Sequence, residues 1–308
     1  MVLTPGGILV TGGSGQLAGA LMARAGSQKL VRVGRPEFDF DRPDDIAALL
    51  RAAAPSLIIN AAAHTAVDQA ETDVEAAYRA NRDGPRILAE YCAAAGIPLI
   101  HVSTDFVFDG ANGAPYVETD ATNPTSVYGA SKLAGEAAIL ASGARAIILR
   151  TSWVYAATGR NFVLTMLNAA AKTSHLRVVG DQRGCPTAAR DLAAAILRMS
   201  ARLASIGWND AYRGVFHAAG GGSTTWHGLA TATFAEAAKY GMTAPTVEAI
   251  ATADWPTPAL RPADSRLDCG KLGKVFGIAL PDWRNALSRT ITDVFEARKR
   301  AAANPNPV

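Results

Sequence analysis

Short, uninterrupted apolar runs recur through the first half of the chain, each followed by a longer stretch with helical spacing. "ILV" at 8–10 precedes a glycine loop and "QLAGALMARA", and "LVRV" at 30–33 precedes "DDIAALLRAAA". "LIIN" at 57–60 leads to "VEAAYRANRDGPRILAEYCAAAG", which reads as one helix over 74–96. "PLIHVS" at 98–103 is followed by "SVYGASKLAGE" at 126–136 and then by "RAIILR" at 145–150. A strand with one wet face alternates; runs that are apolar throughout predict strands buried on both faces of a parallel sheet. Right-handed crossovers then give an α/β fold, a Rossmann-type doubly wound parallel sheet.

Beyond Arg150 the pattern loosens. Helical spacing predicts helices over 162–172 and 190–203, near 227–240 and near 283–302, with a short apolar "VFHAAGG" between the second and third. A proline-rich passage, "ADWPTPALRPADSRLD", precedes the last helix. With no linker in view, residues 156–308 read as a smaller, interleaved C-terminal domain, and 1–155 as the Rossmann domain, to which segments up to about 220 return. The tail "ANPNPV" is expected to be disordered.

Composition narrows the function classes. The formal charge is +3, and no run of five basic residues occurs, so a nucleic-acid partner is not expected. The N-terminus lacks a basic leader with a long apolar core, and no apolar stretch approaches the ~20 residues of a membrane span. The three cysteines are far apart, which fits a reducing compartment and a cytoplasmic protein. The five histidines lack metal-site spacing.

"VTGGSGQLAGAL" sets Gly12, Gly15 and Ala18 in a G-x-x-G-x-x-A arrangement between the first strand and the first helix. Small residues let the backbone approach a pyrophosphate, and the helix N-terminus offers free N–H groups to the anion. An acidic residue commonly ends the second strand in NAD sites. Here "VGRPEFD" places Arg35 there, which suits a 2′-phosphate and points to NADPH, with NADH as the second candidate. Asp39 is close enough to reach the adenosine.

Tyr128 and Lys132 stand one helical turn apart and share a face. "HVSTDFVFDG" ends the fourth strand with Ser103, Thr104 and Asp105, at the carboxyl edge where open α/β sheets bind ligands. A phenol has a pKa of ~10, and a neighbouring ammonium is expected to lower it. Tyr128 would then protonate a ketone oxygen while Thr104 hydrogen-bonds the same atom. The plainer alternative is a Tyr–Lys pair on a solvated helix face. Plain alternatives also stand for Asp105 as a turn or cap residue, for Trp153 as packing, and for His64, His217 and His227 as local structure.

The chain resembles the extended short-chain dehydrogenase/reductases, in the branch acting on deoxysugar nucleotides. The resemblance rests on "TGGSGQL", "NAAAHTAVDQAE", "HVSTDFVFDG", "PYVETDATNPTSVYGASKLAGE", "LRTSWVY", "NFVLTML", "VVGDQRGCPT" and "RPADSRLDCGKL…FGIALPDW", spanning about residues 8–287. It implies NAD(P)H-dependent reduction of the C4 keto group of a dTDP-4-keto-6-deoxy sugar, giving dTDP-L-rhamnose. It also implies Tyr128 as general acid, Lys132 as its activator and Thr104 as the third catalytic residue. Gly12, Gly15, Gln16, Leu17, Asp39, Ala62 and Ala63 would line the cofactor. Thr65, Val67, Thr104, Asp105, Phe106 and Trp153 would face the sugar nucleotide, with Gln182 and Arg183 as further candidates. Some members bind Mg²⁺ through glutamates at a dimer interface. Here Gln16 occupies the loop, and Asp293 and Glu296 lie on the last helix in uncertain register, so no metal is expected while a homodimer is compatible. Phe106 stands where related dehydratases carry glutamate for proton abstraction, which disfavours dehydration. A 4-epimerase, or a regulatory subunit of the methionine adenosyltransferase type, would keep the same Tyr–Lys pair.

Overall fold

The structure, a computed structural model, describes residues 6–303. All but the first residue of the "ANPNPV" tail lie outside that range, as does the extreme N-terminus. The first half runs β1 (Ile8–Thr11), α1 (Gln16–Ala23), β2 (Leu30–Arg32), α2 (Pro43–Ala53), β3 (Leu57–Asn60), then the short helices α3 (Val67–Ala70) and α4 (Val74–Tyr78). It continues with α5 (Gly84–Ala95), β4 (Pro98–Thr104), α6 (Val127–Ala141) and β5 (Arg145–Thr151). The second half comprises β6 (Val154–Tyr155), α7 (Phe162–Ala170), β7 (His175–Val179), β8 (Arg183–Gly184), β9 (Thr187–Ala188), α8 (Ala189–Ile206) and β10 (Gly214–His217). β11 (Thr224–Thr225), α9 (Trp226–Ala238), β12 (Thr246–Ile250), α10 (Gly270–Phe276) and α11 (Trp283–Ala303) complete it.

Six strands form one parallel sheet in the order β2-β1-β3-β4-β5-β10. Neighbouring residues in each strand point to opposite faces. Val10, Ile59, Ile100 and Ile147 meet Leu21 of α1 and Leu192 and Ile196 of α8 on one side. Leu9, Ile58, Leu99 and Ile148 meet Leu50 of α2, Leu88 of α5 and Ile139 of α6 on the other. This two-sided burial is why the runs are apolar at every position. The chain leaves β1 toward β2 and leaves β3 in the opposite direction toward β4. The crevice at the carboxyl ends of β1 and β3 is therefore the switch point at which such sheets bind ligands.

The second half divides between two cores. Leu192 and Ile196 of α8, Phe216 of β10, and Leu272 and Phe276 of α10 pack with the large sheet. Val163, Leu229, Trp283, Leu287 and Ile291 build a separate core from α7, α9 and α11. β7 and β12 form a parallel pair covered by α9, Val178 meeting Ala230 and Phe234. Among the described residues no helix is long and apolar enough to cross a membrane.

The expected single helix over 74–96 is interrupted. Residues Arg79–Asp83 form a π-helical turn between α4 and α5. Pro85 has no N–H to return to the carbonyl four residues back, that of Asn81. The Asn81 carbonyl instead faces α6, where a Cβ on Gly135 would lie only 2.0 Å from it. At the start of α6 a Cβ on Gly129 would meet the Phe106 carbonyl at 2.2 Å. These two glycines let the helix carrying Tyr128 and Lys132 lie directly on neighbouring backbone.

Gly135→Ala should lower the stability of the fold by about 1–3 kcal/mol through overpacking against backbone. Gly19→Ala, in α1 with nothing within 4 Å of a new Cβ, should be neutral or stabilising by up to about 1 kcal/mol. Urea unfolding midpoints of the two variants check the contrast; equal effects would contradict it.

Candidate functional site

The loops after β1, β2 and β3 converge at the switch point with almost no side chain between them. Gly12 has φ +105°, and a Cβ there would lie 2.8 Å from the Ala61 carbonyl oxygen. Gly34, after β2, packs on Gly13, where a Cβ would come within 2.5 Å of the Gly13 Cα. Gly15 caps α1 without a side-chain hydrogen bond, so the first amides of that helix are left for an external acceptor. Ala62 and Ala63 continue the bare surface beyond β3. This cradle fits the pyrophosphate and ribose portions of a dinucleotide. Leu17, expected to line the cofactor, has its side chain in the core and can offer only its backbone amide. Gln16 accepts a hydrogen bond from Asn161 Nδ2 at 2.8 Å, joining α1 to the N-terminus of α7.

Arg35 lies beside the cradle with its side chain 73% exposed, 3.2 Å from Asp39 and 3.7 Å from Asp41. Exposed ion pairs of this kind are weak, roughly 0–1 kcal/mol, so a phosphate can displace them.

α6 starts where the Ser126 hydroxyl accepts the Gly129 amide at 3.2 Å and Glu71 accepts that of Val127 at 2.8 Å. One turn in, Tyr128 packs edge-on against Phe106, with ring centroids 5.5 Å apart, and against Val67. Burial pushes its phenol up to about 12, while the hydrogen-bonded Thr104 hydroxyl pulls the other way. This differs from the expected lowering by Lys132. The Lys132 ammonium is engaged with the Val102 carbonyl at 2.7 Å and lies 3.3 Å from His101 Nε2. Burial lowers Lys132 to about 8, opposed by Glu136. Tyr128 is consequently a protonated phenol at neutral pH, as a proton donor must be.

Of the Ser-Thr-Asp strand end, only Thr104 stands at the phenol. Ser103 points into the core and donates to Glu136 Oε1 at 2.5 Å. Glu136 is in turn paired with Arg150 at 2.7 Å, both nearly inaccessible. Asp105, expected to face the sugar nucleotide, is buried and accepts from Thr104 at 3.1 Å and from Ser265 at 2.5 Å. Burial raises its carboxyl to about 6 against the hydrogen bonds of Ser265, Ser152 and Thr104. Its contact with this cluster is the hydrogen bond it accepts from Thr104. Thr65 is exposed and Val67 and Phe106 are half-buried.

Trp153 adopts a left-handed backbone, φ +48°, a strained conformation for so bulky a residue. Its indole stacks on Trp226 with centroids 3.5 Å apart and covers Gly184, where a Cβ would come within 2.4 Å of it. Gln182 accepts from Trp226 Nε1 at 3.1 Å and donates to Thr252 at 3.1 Å. Arg183 is exposed and pairs through its backbone with Ala263 and Ser265. Ser265, Trp226 and the Arg261–Asp68 pair, 2.5 Å apart, were not evident from sequence, because each partner lies scores of residues away. Among the described residues no group of three or more His, Cys, Asp or Glu side chains could hold a metal ion. Asp293 of α11 pairs with Arg190 at 2.7 Å.

The glycine cradle after β1 to β3 and the Tyr128–Thr104 pair with Lys132 behind it share the carboxyl edge of one parallel sheet, an architecture of oxidoreductase type. The chain belongs to the family described as RmlD substrate binding domain, which matches residues 6–295. It is 45% identical over 285 residues to a dTDP-4-dehydrorhamnose reductase of Sinorhizobium fredii, covering 92% of this chain and 96% of that protein. A protein of the same name from Salmonella typhimurium is 40% identical over 298 residues, covering 94% and 98%. The crystal structure of a dTDP-4-dehydrorhamnose reductase from Clostridium acetobutylicum superposes with TM-score 0.86 at 32% identity, covering 94% and 99%. The Bacillus anthracis protein of that name, solved with NADP, gives 0.85 at 29% identity, covering 94% and 100%.

Because Lys132 falls from 10.5 to about 8 on folding, the folded state binds its proton less well than the unfolded chain. The resulting destabilisation is full below pH ~8 and disappears as pH rises past ~10.5. Lys132→Met should therefore raise the thermal midpoint at pH 7, by about 1–3 kcal/mol in stability. The gain should shrink toward pH 10; a pH-independent difference in calorimetric scans would contradict the buried charge.

Proposed function

We propose that this protein is an NAD(P)H-dependent dTDP-4-dehydrorhamnose reductase, reducing the C4 keto group of dTDP-4-dehydro-L-rhamnose to give dTDP-L-rhamnose. The observation that carries this reading is the buried Tyr128 phenol with Thr104 beside it, at the carboxyl edge of the sheet that also bears the glycine cradle. The names of the full-length relatives agree with it.

The reduced nicotinamide, when bound, supplies a hydride for the keto carbon. Thr104 donates a hydrogen bond to the keto oxygen, fixing its orientation and drawing charge toward it. Tyr128 gives that oxygen its phenolic proton, and Lys132 stabilises the phenolate left behind. Asp105 orients Thr104 by accepting a hydrogen bond from its hydroxyl, which swings to the ketone oxygen when substrate is bound. Gly12, Gly15, Gln16, the Leu17 amide, Asp39, Ala62 and Ala63 hold the cofactor, with Arg35 on the 2′-phosphate of NADPH. Thr65, Val67, Phe106 and Trp153 contact the sugar nucleotide. Residues 1–155, joined by α8, β10 and α10, serve as the cofactor domain, and the rest mainly binds the sugar nucleotide. Phe106, with no ionisable group, supports reduction over dehydration.

Incubation with the dTDP-4-keto sugar should consume NADPH in stoichiometric amount, followed at the nicotinamide absorbance band; no consumption with either cofactor would contradict the reading. Tyr128→Phe should lower turnover by about 10²–10⁴-fold with little change in NADPH binding; wild-type turnover would remove Tyr128 from its role. Arg35→Ala should weaken NADPH more than NADH in fluorescence titrations, and equal weakening would contradict the 2′-phosphate contact.

A further inference from the structure

Behind Lys132 lies a chain of buried polar side chains that the proposed reaction leaves unused. The Thr11 hydroxyl donates to Asn60 Oδ1 at 2.6 Å. Asn60 Nδ2 meets His101 Nδ1 at 2.9 Å, and His101 Nε2 lies 3.3 Å from Lys132 Nζ. All four residues are at most 1% exposed. The chain runs from the foot of the glycine loop to the lysine of the Tyr–Lys pair.

Its direction is set by backbone. The Ala62 N–H can only donate, and it lies 3.2 Å from both Thr11 Oγ1 and Asn60 Oδ1. The Asn60 amide oxygen therefore faces Ala62, and its NH₂ group faces His101. A donor at Nδ1 makes that nitrogen the acceptor, which places the one proton of a neutral imidazole on Nε2. The imidazole is neutral because burial, and then the Lys132 charge, hold its pKa well below the usual value. The Nε2–H thus points at Lys132 Nζ. An ammonium has no lone pair to accept it, whereas a neutral amine does.

We propose that His101, locked as its Nε2–H tautomer by Thr11 and Asn60, is a positioning residue that seats Lys132 against the Val102 carbonyl and weakens its hold on its proton. This rests on the reading of Lys132 as part of a reductase site. The other ionisable groups around Lys132 do not supply the same effect. Glu136, one turn on along α6, favours the ammonium but is neutralised by Arg150 from β5. Tyr128 remains uncharged. His101 links the cradle that would hold a cofactor to the proton affinity of the group that activates Tyr128.

The first test needs no turnover. In full-length protein carrying ¹⁵N-labelled histidine, the His101 ring, assigned by its loss in His101→Gln, should show neutral Nε2–H resonances from pH 6 to 9. An Nδ1–H tautomer or an imidazolium would overturn the proposal. The second test uses the pH dependence of kcat/KM at saturating NADPH. The amide oxygen of the glutamine in His101→Gln can accept from the ammonium, so the basic limb should move up by about one pH unit. A purely structural lesion lowers the rate at every pH and leaves the limb in place, and that result would overturn the proposal. If the wild-type protein reduces no dTDP-4-keto sugar, the functional reading fails, and the tautomer measurement alone decides the role of His101.

Discussion

A lysine with almost no exposed surface stands at the centre of this structure, and much of the architecture around it serves to bury its charge. Lys132 is 1% exposed, and an ammonium cannot be held there without partners. The Val102 carbonyl supplies one, at the strand end that also presents Thr104. The close seating of α6 on the Asn81 and Phe106 carbonyls brings the lysine to that strand. That seating exists only because residues 129 and 135 have no side chain.

The same helix sorts two kinds of polar group. Glu136, Arg150 and Ser103 form one buried, hydrogen-bonded cluster, which joins β4, β5 and α6. Tyr128, Thr104 and Asp105 form a second buried cluster, in which burial raises both the phenol and the carboxyl. The first cluster ties three elements of the fold together, and the second keeps the Tyr128 phenol protonated. Ser265 ties Asp105 to the proline-rich segment, and Arg261 ties that segment to Asp68 beside Val67, so the second half of the chain braces the site made by the first.

The large sheet was legible because its central strands, covered on both faces, must be apolar at every position. β7 and β12 were not, since several of their residues are exposed and their sequences carry neither a continuous run nor a clean alternation. The break at Arg79–Asp83 leaves no mark in "RANRD", which suits a helix, and the packing of α6 on the Asn81 carbonyl shows what Pro85 does there. In the candidate site, spacing along the chain singled out Gly12, Gly15, Tyr128 and Lys132, and the end of the fourth strand singled out Thr104. Ser103 stands next to Thr104 in the same strand-end motif, and only its bond to the buried Glu136 shows where it points. His101 carried no motif, and its role depends on Asn60 and Thr11 arriving from two other strands.

The central claim is that the Tyr–Lys–Thr cluster carries a hydride reduction at the sugar C4. The most direct measurement is a single turnover with NADPH deuterated at the transferring position of the nicotinamide, followed by NMR of the isolated sugar nucleotide. One deuterium is expected on C4 of dTDP-L-rhamnose for each NADPH oxidised, with none at neighbouring carbons. Product lacking deuterium at C4, or no conversion of the keto sugar, would contradict it.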